Sequence, residues 1–190
     1  MTFANKVTLF RILSIPFFIA SLISYSPKLP QLKFVAIAIF LLAIVSDVVD
    51  GYIARRHRQK TRAGAILDPL ADKALVISAF ICLWSIGGQY FHVSIPLWAI
   101  LIIVFRDIAL LIGSGIILST HQELHVQPTC WGKWTTFFQM MTILCLLLEW
   151  SCGSAMWKIA VLFTLVSGID YFRKGINILN TQSSHASVSS

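Results

Sequence analysis

Apolar residues recur along this chain in runs close to the roughly 17–25 residues that an α-helix needs to cross a bilayer. The runs are Val7–Ser24, Phe34–Ile53, Ile66–Trp84, Ile95–Leu118, Thr135–Trp150 and Ala155–Tyr171. The last two are short enough to call for tilt or local thinning of the bilayer. Segments in lipid must satisfy their own backbone hydrogen bonds, which leaves helices or closed barrels. Runs of this length favour helices. The expected fold is therefore all-α, a polytopic membrane protein of about six transmembrane helices. The chain is 57% hydrophobic, with a mean hydropathy of +0.79, above the range of ordinary soluble domains.

Loop chemistry separates the runs. Ser26-Pro27-Lys28-Leu29-Pro30 parts the first from the second, and Gly87-Gly88 is expected to part the third from the fourth. Pro128 and Gly132 lie between the fourth and fifth, and Ser151 to Ser154 between the last two. One membrane domain over residues 1–176 is expected, followed by a polar Ser-rich tail, 177–190, with the composition of a disordered segment. No internal repeat of the kind common in transporters is visible.

The net charge is +7, but the basic residues sit beside apolar runs rather than among aromatic ones. They read as a topology signal and not as a nucleic-acid surface. Arg55, Arg56, Arg58, Lys60 and Arg62 follow the second run, with Lys6, Lys133, Arg173 and Lys174 on the same side. The opposite loops hold Lys28, Lys33 and Lys158. Both termini are then expected to face the cytoplasm, in an inner membrane. The run from Val7 carries Arg11 and lacks a small-x-small cleavage site, so it reads as a retained helix.

Asp47, Asp50, Asp68 and Asp72 stand within or at the edge of apolar runs, in a chain with eight acidic residues. A carboxylate in lipid costs a few kcal/mol or more and needs a compensating cation. Asp47 and Asp50 are three apart, and Asp68 and Asp72 four apart, so each pair shares a helical face. A short basic connection makes the two helices antiparallel neighbours, and all four carboxylates can then converge. Oxygen-only donors select Mg²⁺ or Mn²⁺ over zinc. Two such ions suit in-line displacement at phosphorus. None of His57, His92, His121, His125 and His185 has ligand spacing to the cluster.

The neighbouring residues extend that reading. Gly51 and Gly64 would let a phosphate or a flat base approach the backbone, and Ala54 keeps the same face open. Arg55 is placed to grip a diphosphate in a bidentate fork. Asp72, one turn past Asp68, could accept a proton from an incoming hydroxyl. The blander reading of Arg55 is a topology anchor, and of the aspartates a set of paired helix-end charges.

Together these residues spell D-x-x-D-G-x-x-A-R-(x)8-G-x-x-x-D-x-x-x-D, eight fixed residues over 26 positions. The pattern resembles the signature of the CDP-alcohol phosphotransferases in every fixed position. That resemblance implies a six-helix membrane enzyme that transfers the phosphoalcohol part of a CDP-alcohol to an acceptor hydroxyl and releases CMP. It implies that Asp47, Asp50, Asp68 and Asp72 hold the metal and that Asp72 is the general base. Gly51, Ala54, Arg55 and Gly64 would line the CDP site, and a homodimer is a further implication.

Within the family, Asn5-Lys-Val-Thr8-Leu-Phe-Arg11, Leu67-Asp68-Pro69-Leu-Ala-Asp72-Lys73 and Gly132-Lys133-Trp-Thr-Thr136-Phe-Phe-Gln139 are similar to members using CDP-diacylglycerol and glycerol 3-phosphate. Arg106-Asp107, together with Pro128-Thr129, looks more like members that take phosphatidylglycerol as acceptor. Arg106 is either half of a structural ion pair or a contact for an acceptor phosphate, and Lys133 carries the same two readings. A cation transporter is the remote alternative, and it gives no reason for Gly51, Ala54 and Gly64. The four cysteines, Cys82, Cys130, Cys145 and Cys152, form no C-x-x-C and argue against a disulfide scaffold or zinc site.

Overall fold

A computed structural model describes residues 3–57, 62–91, 93–119 and 130–188. Side chains are described at 8–47, 49, 67, 69–88, 90–91, 93–113, 115 and 130–173. The described chain is wholly helical: α1 Phe3–Ile23, α2 Gln31–His57, α3 Arg62–Tyr90, α4 Leu97–Ser119, α5 Cys130–Leu147 and α6 Gly153–Val188. Each expected apolar run maps onto one of these helices. Most helices outrun their apolar stretch, because backbone bonding continues after the hydrocarbon-length segment ends. The expected domain boundary at 176 falls inside α6.

One break falls elsewhere than expected. Gly87 and Gly88 lie inside the last turn of α3, and the Phe91 amide still donates to the Gly87 carbonyl at 3.1 Å. Glycine weakens a helix without ending it. The chain leaves helical geometry after Tyr90 and re-enters it just past Pro96, where a missing amide hydrogen costs nothing. By contrast, α5 ends in a firm cap. Trp150 N–H reaches Cys145 O at 2.9 Å and Glu149 N–H reaches Leu146 O at 3.0 Å. Glu149 takes the left-handed conformation (φ 55°) that such a cap requires. Its carboxylate receives Lys33 Nζ at 2.7 Å, tying the start of α2 to the end of α5.

Packing runs through α1. Among the described residues α2 and α3 each lie chiefly against α1, α5 lies against α6, and α4 against α3 and α6. Phe18 and Leu22 of α1, Phe40 of α2, Val76 and Phe80 of α3, Ile103 of α4, and Ile143 and Leu147 of α5 form the buried centre. Phe18 and Phe40 meet with ring centroids 5.8 Å apart.

Polarity is inverted relative to a soluble bundle. Thr135, Gln139, Thr142, Thr164, Ser167, Arg106 and Asp107 are buried, whereas Phe17 (69%), Phe105 (78%) and Phe172 (71%) face outward. Two buried hydroxyls are satisfied within their own helix, Thr164 Oγ1 to Ala160 O and Thr142 Oγ1 to Phe138 O, both at 2.7 Å. Among the described residues Pro69–Gly88 and Gly153–Arg173 are long and apolar enough to cross a bilayer. An apolar exterior over a hydroxyl-rich interior is the pattern of a membrane protein.

Candidate active site

The motif falls on two consecutive helices, as its spacing predicts. Asp47, Asp50, Gly51, Ala54 and Arg55 lie in the C-terminal half of α2, and Gly64, Asp68 and Asp72 in the first half of α3. The side chains of Asp50, Ala54, Arg55 and Asp68, and the surroundings of Gly51 and Gly64, lie outside the described residues. Pro69 sits within α3, so the carbonyl four residues earlier loses its usual amide partner beside Asp68.

Asp47 and Asp72 can be followed in detail. Asp72 is half-buried and lies within electrostatic reach of Asp47, Arg11, Lys73 and Asp107. Asp47 accepts an ion pair from Arg11 of α1, Nη2 to Oδ1 at 2.8 Å. The two acidic helices thus share a basic residue from the helix on which both pack. Among the described residues no group of three or more His, Cys, Asp or Glu side chains is gathered. The described pair supplies oxygen donors alone, a chemistry that fits a hard divalent cation.

A second polar cluster begins one residue after Asp72. Lys73 Nζ donates to Asp107 Oδ2 at 3.1 Å and to Thr136 Oγ1 at 3.3 Å. Arg106 Nη1 donates to the other oxygen of Asp107 at 2.8 Å, and Nη2 donates to Ser167 Oγ. The guanidinium also lies 5.8 Å from the Tyr171 ring centroid. Asp107 is fully buried and accepts from both Lys73 and Arg106. Among the described residues Arg106 Nε is buried without a hydrogen-bond partner. One turn past Thr136, Gln139 is buried with neither amide atom hydrogen-bonded among the described residues.

Of the two acceptor candidates, Arg106 lies in this cluster and makes the local pair with Asp107. Lys133 is exposed on the first turn of α5, three residues before Thr136. Sequence reasoning missed Arg11, Lys73 and Ser167 as members of the polar interior. Arg11 and Lys73 carried a readable signal, since each is a charge at or inside an apolar run and needs a partner. Ser167 carried none.

Two acidic helix segments and a buried polar cluster beside them thus lie within a helical bundle whose described interior is rich in hydroxyls. The chain belongs to the CDP-alcohol phosphatidyltransferase family, whose profile matches residues 1–167. It is similar to the CDP-diacylglycerol--glycerol-3-phosphate 3-phosphatidyltransferase of Haemophilus influenzae, 32% identical over 184 residues, covering 93% of this chain and 95% of the relative. The Bacillus subtilis protein of the same name is 33% identical over 195 residues, covering 93% and 96%. That of Escherichia coli K12 is 35% identical over 179 residues, covering 87% and 90%.

Proposed function

We propose that this chain transfers the phosphatidyl group of CDP-diacylglycerol to glycerol 3-phosphate, giving phosphatidylglycerophosphate and CMP. The observation that carries the reading is near-full-length similarity to three relatives named for that reaction, at 32%, 33% and 35% identity. The primary hydroxyl oxygen of glycerol 3-phosphate attacks the phosphorus that bears diacylglycerol. The bond from that phosphorus to the bridging oxygen breaks, and CMP leaves with the electron pair. Asp72, half-buried and one helical turn past Asp68, takes the hydroxyl proton.

Asp47, Asp50, Asp68 and Asp72 would hold one or two divalent cations, Mg²⁺ or Mn²⁺. Bound there, such ions neutralise the diphosphate and the departing phosphate oxygen. Gly51, Ala54 and Gly64 leave room for the nucleotide against the α2 and α3 backbones, and Arg55 holds the diphosphate. The acceptor's phosphate is held by Arg106 of α4 and by Lys133, exposed on the first turn of α5. The catalytic domain is residues 1–176, with six spans, both termini cytoplasmic, and a homodimeric assembly in the inner membrane.

Purified protein in micelles with CDP-diacylglycerol tests this directly. CMP release with glycerol 3-phosphate, and none with phosphatidylglycerol, is the expected result. The opposite acceptor preference overturns the glycerol 3-phosphate assignment in favour of cardiolipin formation. No CMP release with either acceptor overturns the transferase reading.

A further inference from the structure

We propose that Arg11 is a positioning residue for the catalytic centre: it tethers Asp47 from α1 and fixes the carboxylate for cation binding. The inference rests on the reading of the aspartates as a cation cage. It deepens that reading by adding a residue outside the eight-residue motif.

The geometry is asymmetric. Arg11 Nη2 lies 2.8 Å from Asp47 Oδ1, and the arginine side chain is 3% exposed against 44% for the aspartate. The guanidinium is therefore enclosed among helices, and the carboxylate it holds faces outward. Asp47 belongs to α2 and Arg11 to α1, so the tether crosses two elements. Asp72, on α3, lies within electrostatic reach of both. Arg11 therefore contacts Asp47 directly and acts on Asp72 only at longer range.

Fold stability does not account for Arg11. Its Nε and Nη1 are buried with no hydrogen-bond partner among the described residues, so the guanidinium is only partly satisfied there. Buried donors without acceptors cost free energy, and a buried ion pair seldom returns more than an apolar pair of the same volume. The rest of this helix face pays no such penalty. Ser14 and Ser21 donate to Arg11 O and Phe18 O within their own helix, both at 2.7 Å. An apolar pair at positions 11 and 47 would suit the fold at least as well. A guanidinium only partly satisfied by the fold, yet holding one oxygen of a proposed metal ligand, is best explained by what it does for that ligand. Oriented carboxylates bind metal better than free-swinging ones, and the hydrogen bonds that orient them are part of the site.

The role has a sign that distinguishes it. If Arg11 only supplied positive charge, removing it would tighten cation binding, because like charges repel. If it positions Asp47, removing it loosens cation binding. The experiment titrates Mn²⁺ into the full-length protein in nanodiscs and reads free Mn²⁺ by electron paramagnetic resonance. Arg11→Gln is expected to weaken Mn²⁺ binding at least about tenfold, the usual penalty for losing a supporting hydrogen bond to a ligand. Arg11→Lys is expected to fall between Arg11→Gln and the unchanged protein. Adding Arg11→Gln to Asp47→Asn should change nothing further.

Mn²⁺ binding by folded Arg11→Gln that equals or exceeds that of the unchanged chain overturns the positioning role. Should Arg11→Gln not fold, Arg11→Lys decides, and unaltered Mn²⁺ binding there overturns it. If the unchanged chain releases CMP and binds Mn²⁺ while the variants do the same, only the role of Arg11 falls. If the unchanged chain does neither, the proposed function falls with it.

Discussion

Lys73 and Asp107, 34 residues apart on α3 and α4, form an ion pair of 3.1 Å whose carboxylate has no exposure to solvent. The same carboxylate receives Arg106 at 2.8 Å. Asp107 is therefore the anion on which two interior cations depend. Replacing it by Leu removes the carboxylate that both contact, and breaking a buried pair from one side costs about 3–5 kcal/mol. Asp107→Leu should unfold at markedly lower denaturant in an SDS titration of the micellar protein. Asp107→Asn, which keeps an oxygen acceptor, should lose less. Equal stability of Asp107→Leu and the unchanged chain would mean that the cluster is not structural.

Asp72 stands apart from that cluster in what it should do. It lies beside Lys73 yet is proposed to act on the acceptor hydroxyl. Asp72→Asn keeps the shape of the side chain and removes the base. CMP release should fall by about 10²–10⁴-fold, the span of general base catalysis. The protein should remain monodisperse on gel filtration. A turnover rate within a fewfold of the unchanged chain would remove Asp72 from the chemistry.

Much of this arrangement was legible in the residues, and the part that was not has a physical reason. The helices follow from apolar runs, because a bilayer fixes the length of any segment that crosses it. The acidic faces on α2 and α3 follow from the spacing of Asp47, Asp50, Asp68 and Asp72. What spacing cannot give is a partner on another helix. Arg11 announces by its place in an apolar run that it needs an anion, but nothing local says that the anion is Asp47. Lys73 and Asp107 meet across two helices for which no short-range rule exists. The expectation that α2 and α3 are antiparallel neighbours likewise came from the short connection between them and said nothing of α1. Among the described residues both lie chiefly on α1, which is how Arg11 enters the site. Gly87 and Gly88 misled in the other direction, since glycine lowers helix propensity without terminating a hydrogen-bonded turn.

The donor set makes a prediction about metals. The four proposed aspartates supply carboxylate oxygens alone, which favour Mg²⁺ and Mn²⁺ over zinc. Chelation with EDTA should stop CMP release from CDP-diacylglycerol and glycerol 3-phosphate. Excess Mg²⁺ or Mn²⁺ should restore it, and Zn²⁺ should not. Full activity after exhaustive chelation would exclude a cation cage.

Two cysteines offer a direct reading of orientation. Cys130 is exposed at the first residue of α5, and Cys152 is exposed in the turn between α5 and α6. Cys130 opens the 18-residue α5, about 27 Å long at 1.5 Å per residue, and Cys152 follows its far end. If α5 crosses the bilayer with both chain termini cytoplasmic, Cys152 faces outward and Cys130 inward. A membrane-impermeant maleimide applied to right-side-out vesicles should label Cys152 in a Cys130→Ser, Cys82→Ser variant. It should spare Cys130 in the matching Cys152→Ser, Cys82→Ser variant until the membrane is opened with detergent. Cys145, buried 3.6 Å (Sγ to Sγ) from Cys152, should stay unlabelled in both. The reverse pattern would turn the helix over and set the aspartates on the face away from the cytoplasm. That outcome would separate the site from the water-soluble acceptor it is proposed to use.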